Sequence, residues 1–262
     1  MTMTRVARKI RPLIPAAIYR MLWAYVARRN SNRWLESQGV FGLALKAAEG
    51  FDYTVQTGIF KGMKYTRSAI LSRHATPMLI GQYERQIYPA LMEASARTGL
   101  VIDIGHAEGY FAVGFALRGK RVVAFDVDPH EQRICRQMAK LNGVADRISF
   151  RSWCSPETLQ SLTRTERALV ISDIDGGEID LFQPELISSL CHCDLVVELH
   201  AETPEENQPF LQRFQGSHRV EVIDHPTEAA GVDLIASLGP DAPRMAHEYR
   251  WMQQWMIASA KS

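Results

Sequence analysis

The strongest constraint on the fold is residues 99–200, where short continuous apolar runs alternate with helical patterns. LVIDIG, RVVAFDV, RISFRSW, ALVISDI and CDLVVELH read as five strands buried on both faces. Between them, GYFAVGFALRG, PHEQRICRQMAKLNG and EIDLFQPELISSL read as helices. Pro129 opens the second of these, and Asn142–Gly143 closes it. Strands alternating with helices describe a parallel sheet covered on both sides. RVEVID and VDLIASL are expected to add a closing antiparallel pair. The expected fold is therefore α/β: a Rossmann-like, doubly wound, mostly parallel seven-stranded sheet with helices on both faces and an N-terminal helical extension.

Four regions follow from this reading: a basic amphipathic extension (1–40), lead-in strands and a helix (41–98), the Rossmann-like domain (99–238) and a C-terminal helical tail (239–262). In the lead-in, residues 40–65 mix alternating apolar residues with glycines and predict short strands and turns. Residues 81–96 predict a helix carrying Tyr83, Ile87, Leu91 and Ala94 on one face, kinked or broken at Pro89. The tail residues Tyr249, Trp251, Met252 and Trp255 suit either a helix packed on the sheet or a lid.

Ligands of such sheets bind at the carboxyl ends of the strands, so the residues there carry the chemistry. After the first strand comes Asp103-Ile-Gly105-His-Ala-Glu-Gly109-Tyr110. Gly105 and Gly109 allow a tight turn that leads a ligand to the amino end of the next helix. The dinucleotide fingerprint GxGxxG is absent, and an acid at Asp103 would repel a pyrophosphate while suiting an ammonium. Asp126 ends the second strand 21 residues after Gly105, where an acid accepts hydrogen bonds from ribose hydroxyls. Asp128 precedes Pro129 and reads as a helix cap. Ser152 and Trp153 follow the third strand and offer a polar partner and a face to an adenine ring, although a core tryptophan reads equally well.

The fourth strand ends in Ser172-Asp173-Ile-Asp175-Gly-Gly-Glu178 and the fifth in Glu198-Leu-His200. Neighbouring strands would bring these groups to one cleft. A base there assists removal of a hydroxyl proton. His200 is the candidate, with Asp173, Asp175 and Glu178 beside it. The carboxylates also suit Mg²⁺ or Ca²⁺, but nothing in their spacing demands a metal.

Together these segments resemble the FkbM-type branch of the methyltransferases, from about Gly58 to His200. The resemblance is carried by GQYERQIYPAL, VIDIGHAEGYFAVGFA, VVAFDVDP, SDIDGGEIDLF and VVELH. It implies S-adenosyl-L-methionine as cofactor and O-methylation of a small hydroxyl-bearing molecule, often a sugar or secondary metabolite. Carried over by position, Asp103, Gly105 and Gly109 hold the methionine part and Asp126 the ribose, while Asp173, Asp175 and Glu178 face the cleft. The chain departs from the family at Asp126 and Asp175, where Glu is usual, and at His106 and Glu108, where small or amide residues are common. Two rivals stand beside this reading: a nucleoside-binding protein without catalysis, and an NAD-dependent oxidoreductase on a similar sheet.

Charge and cysteine content bound the partners. The net charge of +1 gives no reason to expect nucleic-acid binding. Residues 1–33 nevertheless hold eight Arg/Lys and no acid, which leaves about −7 for the rest. PAAIYRMLWAYVARRN within that segment is too short to span a bilayer. It suits a peripheral contact with an anionic membrane or a helix packed on the domain. Four irregularly spaced cysteines, including Cys191-His-Cys193, lack zinc-site or disulfide spacing and point to a reducing cytoplasm.

Overall fold

The computed structural model describes residues 33, 36–37, 39–72, 74–201, 203–226, 231–248 and 253–261. The basic segment 1–32 and residues 249–252 lie outside them, and with them the expectations of an N-terminal helix and of a lid. Among the described residues, no helix is long and apolar enough to cross a membrane.

Before the sheet come α1 (Val40–Gly50), α2 (Ala75–Ile80) and α3 (Tyr88–Ala96). The first corrects the expectation of strands. Val40, Ala44, Ala47 and Ala48 recur at helical spacing, and all four are buried. Short strand pairing survives only as the isolated bridge between Thr54 and Lys64. Pro89 lies in the first turn of α3, so it starts this helix rather than kinking a longer one. Tyr83, Ile87, Leu91 and Ala94 are all buried.

The nucleotide-type unit then runs β1 (Leu100–Ile104), α4 (Tyr110–Leu117), β2 (Arg121–Phe125), α5 (Pro129–Leu141), β3 (Ile148–Arg151), α6 (Pro156–Thr163) and β4 (Ala168–Ser172). Next come α7 (Glu178–Leu181), α8 (Pro184–Ile187), β5 (Asp194–Leu199), α9 (Gln208–Gln215) and β6 (His218–Asp224). The chain closes with α10 (Val232–Ile235), α11 (Ala242–Ala246) and β7 (Gln254–Ala260). Asp128 caps α5 by accepting the His130 N–H.

The seven strands lie in the order β3-β2-β1-β4-β5-β7-β6. β1 to β5 pair in parallel, whereas β7 runs antiparallel to both β5 and β6. Strand order reverses between β1 and β4, and ligands of such sheets bind beyond the carboxyl ends of the strands at that point. Two apolar cores cover the faces. One includes Phe60, Tyr83, Tyr110, Phe111 and Trp255, and the other includes Phe125, Phe182 and Phe214.

The closing pair is corrected. Residues 232–238 are helical (α10, then a short 3-10 turn), and the partner of β6 is QWMIASA at 254–260. The tail expected to be helical therefore ends as a central strand. A seven-residue apolar run fits either state by pattern alone. Insertion between β5 and β6 supplies partners on both edges, and that decides this one.

Candidate functional site

The turn after β1 is built on two close approaches. Gly105 has φ +88°, and a Cβ there would sit 1.8 Å from the Asp173 carbonyl oxygen. Gly109 has φ +100°, and its Cβ would meet Cys135 Sγ at 2.4 Å. The glycines thus serve the packing of the turn against β4 and α5. The Asp173 N–H also donates to the Ile104 carbonyl at 2.9 Å, which ties the tip of β4 to the end of β1.

Asp103, in β1, is 2% exposed. Its carboxyl accepts the Ala112 N–H, while Oδ2 is buried without a hydrogen-bond partner. Burial, and then repulsion from Asp126, Asp173 and Glu108, pushes its pKa up to about 8. A buried carboxyl with an orphaned oxygen is matched to a cationic donor.

Asp126 braces the same turn. Its Oδ2 accepts the Ala107 N–H at 2.9 Å and its Oδ1 the Asp128 N–H at 2.8 Å. Each oxygen keeps a second lone pair for a hydroxyl. Tyr110 starts α4, but its side chain belongs to the core: its hydroxyl meets that of Tyr88 at 2.7 Å among Phe60, Tyr83 and Phe111. Only its backbone faces the turn's helix end. Ser152 and Trp153 follow β3 in exposed positions, and Trp153 at 51% exposure is no core residue. The His106 imidazole is held neutral by burial and pairs with the Ala107 carbonyl through Nδ1 at 2.7 Å.

At the tips of β4 and β5 the expected cluster assembles. His200 Nε2 lies 3.5 Å from Asp173, 3.4 Å from Glu198 and 4.0 Å from Asp175. Its Nδ1 lies 3.3 Å from Glu178 Oε1. Burial alone would lower the imidazole pKa, but the carboxylates of Asp173, Glu178 and Glu198 outweigh it and raise it far above the ordinary value. The cluster thus favours the protonated imidazole, a state in which His200 holds the carboxylates together rather than taking a proton. Asp173, Asp175 and His200 bring ligand atoms within 4.8 Å of one another. Glu178 Oε1 also accepts the Ile174 N–H at 2.8 Å and closes the loop that presents Asp175. Asp175 stands at φ +51° with a 42% exposed side chain.

Two contributors were given no role by the sequence reading. Glu198, fully buried in β5, completes the shell around His200. Glu84, also fully buried, accepts Trp255 Nε1–H at 2.8 Å and Gln86 Nε2–H at 2.6 Å. Its own N–H donates to Glu248, which pairs with His225 at 3.1 Å. Trp255 is paired with Glu198 across β5 and β7, so this network flanks the cleft. Only the tertiary placement of β7 reveals it. The Cys191-His-Cys193 segment lies away from these groups, with His192 bound to the Thr163 carbonyl at 2.7 Å.

No family model matches the chain. Two curated proteins share about a third of its length. One is the ribosomal protein L11 methyltransferase of Citrifermentans bemidjiense, 33% identical over 87 residues, which are 33% of this chain and 27% of that protein. The other is a cobalt-precorrin-6B C(15)-methyltransferase (decarboxylating) of Pyrobaculum calidifontis, 33% identical over 88 residues, 32% of this chain and 43% of that protein. The matches thus span under half of either relative. Among solved structures, precorrin-6y C5,15-methyltransferase from Geobacter metallireducens superposes with a TM-score of 0.46 at 17% identity, covering 70% of this chain and 90% of that one.

Proposed function

We propose that this chain is a class I S-adenosylmethionine-dependent methyltransferase that methylates a hydroxyl of a small molecule. The observation that carries the reading is Asp103: a buried carboxyl with an orphaned oxygen, at the strand-order reversal, beside a turn made of Gly105 and Gly109. That oxygen suits the ammonium of the cofactor's methionine part. The free lone pairs of Asp126 suit its ribose hydroxyls. Trp153 and Ser152 offer a face and a hydroxyl for adenine. The matched segments of two proteins named methyltransferases support the same reading, and the resemblance to the FkbM-type branch supports an oxygen acceptor.

Once bound, S-adenosylmethionine supplies an electrophilic methyl group on a sulfonium centre. The protein's own work is alignment of the acceptor and removal of its proton. Asp175 is the exposed carboxylate of the cleft and is assigned as proton acceptor. His200, held as a cation, positions Asp173, Asp175 and Glu178 and offsets their mutual repulsion. Glu178 fixes the loop through the Ile174 N–H.

The reading is tested by thermal unfolding with S-adenosylmethionine, S-adenosylhomocysteine or NAD. A ligand at about 100 times its Kd stabilises the native state by roughly 2.7 kcal/mol. Both sulfur nucleosides should raise Tm, and Asp126→Ala should abolish the shift. A response to NAD alone, or to none of the three, would overturn the proposal.

A further inference from the structure

Asp103 is unusually placed even for a residue that meets a cation. Parallel pairing sets it beside Ala124 of β2 and Ile171 of β4. Both neighbouring strands end two residues further on in an acid, Asp126 and Asp173. Glu108 faces it from the turn, and Cys135 faces it from α5. The charged groups that act most strongly on Asp103 are thus carboxylates, while Arg136 acts on the neighbouring Cys135 and His106. Its carboxyl receives a single backbone N–H, from Ala112, and Oδ2 is buried without a partner.

We propose that the ligand-free protein holds Asp103 as a neutral acid, and that docking of the cofactor's ammonium expels this proton. The inference rests on the cofactor reading above. It makes cofactor affinity a function of pH, through one residue of the pocket rather than through the transfer step.

The sign follows from linkage. The free carboxyl titrates at about 8, and an adjacent ammonium lowers that value. Below pH 8 each binding event therefore releases a proton, and the Kd falls as pH rises. Between pH 6 and 7 the fall approaches tenfold. The gain ends near pH 8, where the free carboxyl is ionised and the ligand's own α-amino group begins to lose its charge.

The test is isothermal titration of the intact protein with S-adenosylhomocysteine at pH 6.5. It is run in two buffers of different ionisation enthalpy and repeated at pH 6.0 and 7.0. About one proton released per ligand, with a near tenfold tighter Kd at pH 7.0, is the expected result. Asp103→Asn should bind more weakly, with no proton released and no pH dependence in this range. Binding without proton release in the native protein would overturn the inference and leave the cofactor reading intact. So would release that persists in the Asn variant. No binding at any pH would overturn the cofactor reading itself.

Discussion

At the scale of single residues, the candidate site is organised by carboxylates that are not equivalent. Asp103 is buried and retains its proton, Asp126 is tied to two backbone N–H groups, and Asp175 is exposed on a strained loop. His200 gathers a separate set, Asp173, Asp175, Glu178 and Glu198, into one cluster. Its folded-state pKa lies above the ordinary imidazole value, so its stabilisation is full below about pH 6.5 and is lost only as pH rises through the raised value. The methyl-transfer rate should accordingly show no histidine titration between pH 6 and 8. Asp175→Asn should lower kcat by about 10²–10⁴-fold while leaving the cofactor Kd unchanged. An inflection near pH 6.5 that disappears in His200→Gln would contradict the assignment.

At the scale of elements, the β1–α4 turn depends on backbone contact more than on any side chain. Gly105 and Gly119 both have positive φ, +88° and +83°. A Cβ at Gly119 meets open space, whereas one at Gly105 meets the Asp173 carbonyl. Gly119→Ala should therefore cost only the left-handed backbone penalty of about 1–2 kcal/mol. Gly105→Ala must in addition push β4 away, and the expected total is about 3 kcal/mol or more. Denaturant unfolding of the two variants makes the comparison; equal losses would mean that the turn relaxes freely. The turn itself was legible in the sequence, since an apolar run followed by spaced glycines has few other solutions. Its contact with β4 was not, because a carbonyl 68 residues away leaves no local trace.

At the scale of the whole molecule, stability and chemistry sit at opposite ends of the sheet. Asp194 begins β5 and is almost fully buried. It pairs with Arg97 at 3.0 Å and Arg167 at 3.2 Å and accepts the Ala260 N–H at 3.1 Å. One carboxylate thereby joins the end of α3, the entry to β4, and the strands β5 and β7. Removing it leaves Arg97 and Arg167, each about a third exposed, able to reach water, but orphans the Ala260 N–H, at a cost of about 1–3 kcal/mol. Asp194→Ala should lose that much stability yet keep the cofactor Kd, since the cleft lies beyond the other ends of the strands. A parallel loss of affinity at a temperature where the variant is folded would show that the two ends are coupled.

Sequence alone determined the alternation of strands and helices from β1 to β5, the strand-end acids Asp103, Asp126, Asp173 and Asp175, and the tight turn between Gly105 and Gly109. These follow from local rules: continuous burial, the backbone freedom of glycine, and the geometry of strand ends. Tertiary structure alone decided that 254–260, not 232–238, closes the sheet, and that Val40–Gly50 is helical. It also placed four carboxylates around His200, which favour its protonated form. The reason is common to all three. A short apolar run, or a histidine beside acids, has several near-equal local states, and the choice is made by partners distant in the chain. Two strand edges awaiting a partner selected β7, and carboxylates from the loop after β4, from α7 and from β5 bias His200 toward its protonated form.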